Sequence, residues 1–502
     1  MTLPPGVSRG LPRSPALGEI PRATRVNFVR DFVDTRLPGQ LALVTLDESG
    51  ARQEWTFGQL TAAAGSLAAA FAAHGVGRGS VVLTLVGNRV EYALSILACL
   101  RIGAATLPCS EQLRPKDLAL RVARARPALI VCDERNRAAM EAAAPDCPVI
   151  WVPDAALFAD REPPLFADLG PLDPAFVLFT SGTSGQPKLV THGQRYVWGQ
   201  RVQATHWLAA APGELVWSTA APGWSKSARN TFIAPWLCGA VALLQDRRFD
   251  PGERLETIRR EGVQVLCMAP TEYRLIAAHG PVGALPSLRR LVTAGEALGG
   301  AALEAWRGQT GLDIADGYGQ TETGHLAGVR PGDRPPPGSM GRPLPGVRTS
   351  IVDGELVVDP ATVPSFFLGY DGAPAPKGMW HTGDQVRQDD DGWLFFEARA
   401  DDVIVSAGYR IGPAEVESTL LGHPAVGEVA VIGVPDAERG QVVAAIVVLR
   451  DGFGPSDALA LDLQSYAKAE TAPYKYPRVV RFVDALPKTT TGKIHRAALR
   501  EG

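Results

Sequence analysis

The sequence predicts an α/β protein in two unequal parts. A large N-terminal domain is built from several subdomains, with parallel sheets and a β-rich subdomain. A small α+β C-terminal domain follows. Three observations predict this. The chain has 502 residues, more than one hydrophobic core organises. Strand-like and helix-like runs alternate along most of it, the rhythm of βαβ units. After "ARADD" (398–402) the pattern changes, and the remainder is long enough for a small domain of about a hundred residues. We place the boundary at Asp401, giving domains 1–400 and 401–502.

The elements follow in order. "SVVLTLVGN" (80–88) reads as a buried strand and "VEYALSILACLRIGA" (90–104) as a helix. "KDLALRVARAR" (116–126) is amphipathic at helical spacing, and "ALIVCD" (128–133) is again a strand. The rhythm recurs at 214–247 and 251–294, where "VQVLCMAP" and "LRRLVTAGE" read as strands ending in loops. Open α/β sheets collect their chemistry at such ends. Segment 328–347, dense in Pro and Gly, reads as loop. "SIVDGELVV" and "GWLFFEAR" read as β structure. In the last domain "AEVESTLLG" and "DALALDLQSYAKAE" read as helices, "GEVAVIGVPD" and "VVAAIVVLRD" as strands.

Composition narrows the function. Hydrophobic residues make up 46% and charged residues 21%, ordinary for a globular enzyme. A net charge of −3 gives no basic surplus for a nucleic-acid partner. Six cysteines are scattered without C-x-x-C or metal-ligand spacing, which reads as reduced thiols in a cytoplasmic protein. Residues 1–28 contain no export segment. "YALSILACL" (92–100) is stopped by Arg101 and is too short to span a bilayer. The sequence allows a homo-oligomer without specifying one.

The most informative string is "FVLFTSGTSGQPK", an apolar strand followed by Thr180, Ser181, Gly182, Thr183, Ser184, Gly185 and, after Gln186 and Pro187, Lys188. Hydroxyls and free backbone N–H groups can surround an anion, and the glycines let the backbone come close. Lys188 supplies a point charge. It is not a Walker A loop, because Pro187 separates the glycines from the lysine. Taken alone, it reads more readily as a flexible Ser/Gly surface loop.

The full string resembles the phosphate loop of the adenylate-forming family: acyl-CoA synthetases, luciferases and adenylation domains of peptide synthetases. The resemblance runs from about residue 25 to the C-terminus and is nearest to the medium-chain acyl-CoA synthetases. It implies that the loop holds the β- and γ-phosphates of ATP. "DGYGQTETG" (316–324) is similar to the family's adenine and metal segment, with Asp316, Gly317, Gly319 and Gln320 lining the nucleotide. The resemblance makes Tyr318 a stacking partner for adenine, Thr321 a donor to the α-phosphate and Glu322 the Mg²⁺ ligand. "TAGEAL" (293–298), with Gly295, Glu296 and Ala297, would line the other side of the nucleotide. By the same resemblance Asp384 of "WHTGD" and Arg399 of "ARADD" bind the ribose hydroxyls. Read alone, "GYGQTE" is a turn, and Asp384 with Arg399 is a surface ion pair.

"ADDVIVSAGYRIGPAEVES" (400–418) resembles the family's hinge and pantetheine segment. Asp401 is then the hinge, where few residues absorb a domain rotation. Ala407 and Tyr409 flank a thiol tunnel, Gly408 lets pantetheine pass, and Arg410 meets the adenylate phosphate. "PKTTTGK" near the chain end resembles the family's terminal motif. Its Lys493 would reach the carboxylate and α-phosphate in one of two domain arrangements. As composition alone, it is a solvated basic tail.

The acid and the acceptor are less legible. "PGWSKSARNTF" (222–232) falls where the family's acyl pocket begins. Trp224 resembles a pocket-wall tryptophan, and Lys226 faces the pocket, coenzyme A or solvent. No aspartate is present there to pair with an α-ammonium, which disfavours amino acids. Acetyl-specific relatives carry tryptophan where Gly319 stands, so the glycine implies an open pocket and an acid longer than acetate: medium-chain, branched or aromatic. Gln112, Arg439, Lys468 and Arg478 match positions that contact coenzyme A. The expected reaction is therefore ATP-dependent, Mg²⁺-assisted, AMP-forming synthesis of an acyl-CoA thioester. An acyl-AMP ligase loading a separate carrier protein, and a non-catalytic binding protein on the same fold, stand as alternatives.

Overall fold

The computed structural model of the protein describes residues 25–158, 161–180, 187–296, 300–399, 402–406, 409–436, 439–471, 475–488 and 494–501. Two large sheets dominate it. In the first, the order is Ala373–Pro374, Gly369–Tyr370, Lys188–Gly193, Pro174–Thr180, Ala105–Pro108, Val81–Leu85, Leu129–Asp133, Val149–Val152. Its last five strands pair in parallel, while Lys188–Gly193 returns antiparallel to Pro174–Thr180. The second runs Arg342–Pro343, Gly324–Gly328, Ile314–Gln320, Arg290–Ala294, Val265–Cys267, Leu215–Ser218, Val241–Gln245, Leu41–Leu46, Arg52–Thr56. Six neighbouring strands in it, from Ile314–Gln320 to Leu41–Leu46, are parallel.

Alternation along the strands feeds two cores from each sheet. Leu129 and Val131 enter the core between the large sheets, whereas Ile130 and Cys132 enter the one outside. Ala242 and Leu244 share that inner core, and Val241 and Leu243 point away from it. Helices Phe57–Ala73 and Val90–Ile102 contribute to the same layer. The first starts at Thr56, whose side chain caps Gln59 while Gln59 caps Thr56 in return. The second is buried on nearly every side, which suits an apolar run lodged between sheets. It stops at Gly103, in the left-handed region at φ 76° with its N–H on the Cys99 carbonyl.

An antiparallel sheet of Thr349–Val352, Glu355–Val358, Trp380–Gln388 and Leu394–Arg399 forms the β-rich part. The C-terminal part has its own sheet, with Tyr409–Ile411, Ile404–Ser406, Gly440–Leu449 and Val426–Asp436, and with Val479–Phe482 beside Gly440–Leu449. Helices Pro413–Leu421 and Asp457–Glu470 cover it, and Ile404, Val416, Leu420, Ala445 and Leu463 share a core. This is the mixed α/β architecture, with parallel sheets and a small α+β C-terminal unit, that the sequence predicts. One expectation needs correction: segment 328–347 is not wholly loop. Arg342–Pro343 is an edge strand, because Ala327 and Gly328 offer it backbone partners. No helix among the described residues is long and apolar enough to cross a membrane. The six cysteines are free thiols.

Candidate active site

Strand Pro174–Thr180 ends where the glycine loop begins, and Thr180 stands opposite Lys188 in the returning strand. Ser181, Gly182, Thr183, Ser184 and Gly185 lie outside the described residues, as do Ala297, Asp401, Ala407, Gly408 and Lys493. Lys188 is placed. Its ammonium lies 5.0 Å from the centre of the Tyr370 ring, a cation–π distance. The Tyr370 hydroxyl donates to Glu322 Oε1 at 2.7 Å. Burial, and then the Glu322 charge, push the Tyr370 phenol far up, so it stays a donor. Sequence reading missed Tyr370. The two-residue strand Gly369–Tyr370 brings it in by pairing with Val190 and Thr191.

Glu322 is half-buried, and among the described residues its Oε2 accepts no hydrogen bond. No group of three or more His, Cys, Asp or Glu side chains that could hold a metal occurs among those residues. A single carboxylate bonded to Tyr370, whose ring lies by the Lys188 ammonium, fits Mg²⁺, which keeps waters and takes its other ligands from substrate phosphates. It does not fit a closed all-protein cage.

Asp384 ties three motifs together. Strand register sets it opposite Arg399, whose Nη1 donates to Oδ1 at 3.0 Å. Its Oδ2 accepts from the Tyr318 hydroxyl and, at 2.7 Å, from Gln320 Nε2. Gln320 is itself fixed, giving Nε2 to the Thr382 carbonyl and receiving Trp380 Nε1 at 3.0 Å. Asp384 is only 4% exposed, so these donors are what make its charge tolerable there. Thr321 is held from behind: the His192 ring Nε2 lies 2.8 Å from its carbonyl oxygen. Burial pushes His192 down to about 3. The neutral ring therefore carries its proton on Nε2 and donates.

Opposite these, Glu296 takes the Thr271 hydroxyl at 2.6 Å and the Thr271 N–H at 3.1 Å, with Arg274 at 3.3 Å. Burial pushes the Glu296 carboxyl up, but Arg274 and Thr271 outweigh it and leave it below its ordinary value. Burial raises Asp316 to about 7, even though the Gly317 N–H bonds it at 2.7 Å. Gly317 and Gly319 belong to the same strand as Tyr318, Ile314–Gln320.

Of the acyl-side residues, Gly319 diverges from expectation. Trp224 and Lys226 are adjacent, the ammonium 4.7 Å from the indole ring centre. Lys226 Nζ donates to the Ala294 carbonyl at 3.0 Å, so it is anchored beside Gly295 rather than solvated. Gly319 does not face open space. A Cβ there would meet the Gly324 oxygen at 1.9 Å and His325 Cα at 2.9 Å. The glycine is required by the tight crossing of Ile314–Gln320 with Gly324–Gly328, whose register shifts between Tyr318 and Gly319. Its absence of a side chain therefore says nothing about acid length.

Of the residues matched to coenzyme A, Lys468 and Arg478 share one face: their charged groups lie 5.7 and 5.0 Å from the Tyr476 ring centre. Arg439 sits at the hairpin turn with its N–H on Asp436, and Arg478 N–H bonds Val443 four residues along that strand. Tyr409 is 52% exposed; Arg410 pairs with Val405 through its backbone. Gln112 is exposed, in a loop whose neighbour Ser110 packs on Gly223. Lys488 and Ile494 bridge across the terminal motif, and helix Arg496–Glu501 sends Arg500 to Asp402 at 2.5 Å.

A family model described as AMP-binding enzyme matches residues 32–364, and one described as AMP-binding enzyme C-terminal domain matches 415–493. The chain is 37% identical to an uncharacterized acyl-CoA ligase, YtcI, of Bacillus subtilis, over 95% of this chain and 96% of that one. It is 34% identical to the human mitochondrial acyl-coenzyme A synthetase ACSM3, over 95% and 89%. Among solved structures, the anthranilate CoA ligase AuaEII in complex with anthranoyl-AMP superposes with a TM-score of 0.86 at 28% identity, covering 95% of this chain and 97% of that one.

Proposed function

The chain belongs to the AMP-binding enzyme family as an acyl-CoA synthetase near the medium-chain enzymes, and from that premise we propose a two-step reaction. A carboxylate oxygen attacks the α-phosphorus of ATP, the bond to the β-phosphate breaks and pyrophosphate leaves. The coenzyme A sulfur then attacks the acyl carbonyl, AMP leaves, and the thiol proton passes to solvent. The first step joins two anions, so it needs fixed positive charge and donors. Lys188, the glycine loop and Lys493 would supply them. Glu322 would hold Mg²⁺, which when bound offsets phosphate charge.

One observation carries the reading: Tyr318 and Gln320 from one motif and Arg399 from another converge on the Asp384 carboxylate. A surface ion pair needs no such arrangement, whereas a preorganised acceptor for a ribose hydroxyl does. Lys468 and Arg478 flanking Tyr476 would receive the phosphates of coenzyme A. The acid is larger than acetate in this proposal, supported by Trp224 in the acyl segment and by the likeness to an anthranilate ligase. The free thiols support a reducing, cytoplasmic setting. Domain motion about Asp401 would bring Lys493 in for the first step and remove it for the second.

The test is acid-dependent pyrophosphate release across straight-chain, branched and aromatic acids, with thioester formation scored on free coenzyme A. Pyrophosphate release without acyl-CoA would favour a carrier-protein acceptor. No release with any acid would overturn the proposal.

A further inference from the structure

Arg229 lies in the acyl segment, at the start of a wide turn, Arg229–Ile233. It is 4% exposed, and its Nε and Nη1 are buried without a hydrogen-bond partner. Among the described residues no ion pair involves it. The titratable groups coupled to it electrostatically are the Tyr196 phenol, the Cys267 thiol and the imidazoles of His192 and His325. All are neutral: burial raises the first two and lowers both histidines. An added Cβ on Gly324 would sit 3.4 Å from Nη1. The guanidinium therefore lies directly behind the turn that carries Thr321 and Glu322. His325 is 5% exposed and leaves both ring nitrogens without a partner, one of them an N–H in either neutral tautomer.

A buried guanidinium without a counter-charge is among the costliest arrangements a fold can hold. Arginine does not escape by losing its proton. An anion delivered by the substrate would relieve the cost.

We propose that the acid carries a second carboxylate, remote from the one activated, and that Arg229 pairs with it. The substrate class is a dicarboxylic acid, converted to its mono-thioester. This rests on the acyl-CoA synthetase reading and narrows its acid.

The experiment compares acids of matched length: butanoate with succinate, pentanoate with glutarate, hexanoate with adipate, and benzoate as an aromatic reference. Pyrophosphate release gives kcat/KM. In at least one pair the dicarboxylate should lead by about thirtyfold or more, the effect of one desolvated charge pair. Arg229→Leu should reverse that preference, and Arg229→Lys should keep part of it. The dicarboxylate should also raise the melting temperature of the unaltered protein, and more than its monocarboxylate partner does. That measurement decides the matter even if Arg229→Leu does not fold. Monocarboxylate preference in every pair, or an equal loss on both acids in Arg229→Leu, overturns the proposal while leaving acyl-CoA synthesis intact. Failure with every acid, benzoate included, overturns the synthetase reading itself.

Discussion

Asp384 permits a prediction with a number attached. A carboxylate offers roughly four lone-pair sites. Three are taken: Arg399 on Oδ1, and Tyr318 and Gln320 on Oδ2. One remains, on Oδ1, so Asp384 can serve one ribose hydroxyl and not both. A hydrogen bond to a charged acceptor contributes about 1.5–3 kcal/mol, which is about tenfold to 150-fold in kcat/KM for ATP. In Asp384→Asn the amide cannot satisfy both sides: turned toward Tyr318 and Gln320 with its oxygen, it sets N–H against Arg399. Arg399 is 37% exposed, so water can take over the donors that lose Asp384. The assay is pyrophosphate release with ATP, 2′-deoxy-ATP and 3′-deoxy-ATP. In the unaltered protein one deoxy analogue should lose about tenfold to 150-fold. Asp384→Asn should lose the same with ATP and nothing further with that analogue. Tyr318→Phe should fall only a few-fold, because Gln320 and Arg399 still hold the carboxylate. If Asp384→Asn discriminates against both analogues as the unaltered protein does, the ribose assignment is wrong.

Other outcomes test the remaining parts of the proposal. Lys493→Ala should lower acid-dependent pyrophosphate release by about 10²–10³, the usual cost of one donor to developing charge, yet still make thioester from supplied acyl-adenylate and coenzyme A. Equal loss in both half-reactions counts against two domain arrangements. His192 is held near 3, below the value of about 6.5 it has in the unfolded chain. Between those values the unfolded state binds the extra proton, so stability rises with pH there and is lost as pH falls below about 6.5. Chemical denaturation from pH 4 to 7 should show a shallower acid loss in His192→Gln, which keeps an N–H for the Thr321 carbonyl; an unchanged slope refutes the assignment. Gly319→Ala should lower the melting temperature, since its Cβ would meet the Gly324 oxygen at 1.9 Å. A normal melting profile would restore the open-pocket reading.

What could be read from the sequence and what could not divides along a physical line. Strands such as Leu129–Asp133 and helices such as Val90–Ile102 are legible because burial imposes a period, or a continuous apolar run, on neighbouring residues. The glycine loop at 180–188 and "GYGQTE" stand out in the sequence because hydroxyl and glycine residues are concentrated in one short stretch of backbone. Residues recruited by register carry no such mark. Tyr370 reaches Glu322 only because a two-residue strand pairs with Lys188–Gly193. His192 reaches Thr321 across a separation of 129 residues.

Gly319 and Arg229 show why residue type alone misleads. A glycine signals either space or crowding, and only the backbone opposite decides which; here Gly324 decides for crowding. An arginine in "SKSARNTF" reads by default as a solvated face. Burial reverses that meaning. In water the charge costs nothing and implies nothing. At 4% exposure, with two nitrogens unpartnered, the same side chain requires a counter-charge, and the described protein provides none. The acyl segment is thus the part of the site where sequence resemblance to enzymes for apolar acids is least informative, because a single buried cation changes which acid can enter without penalty.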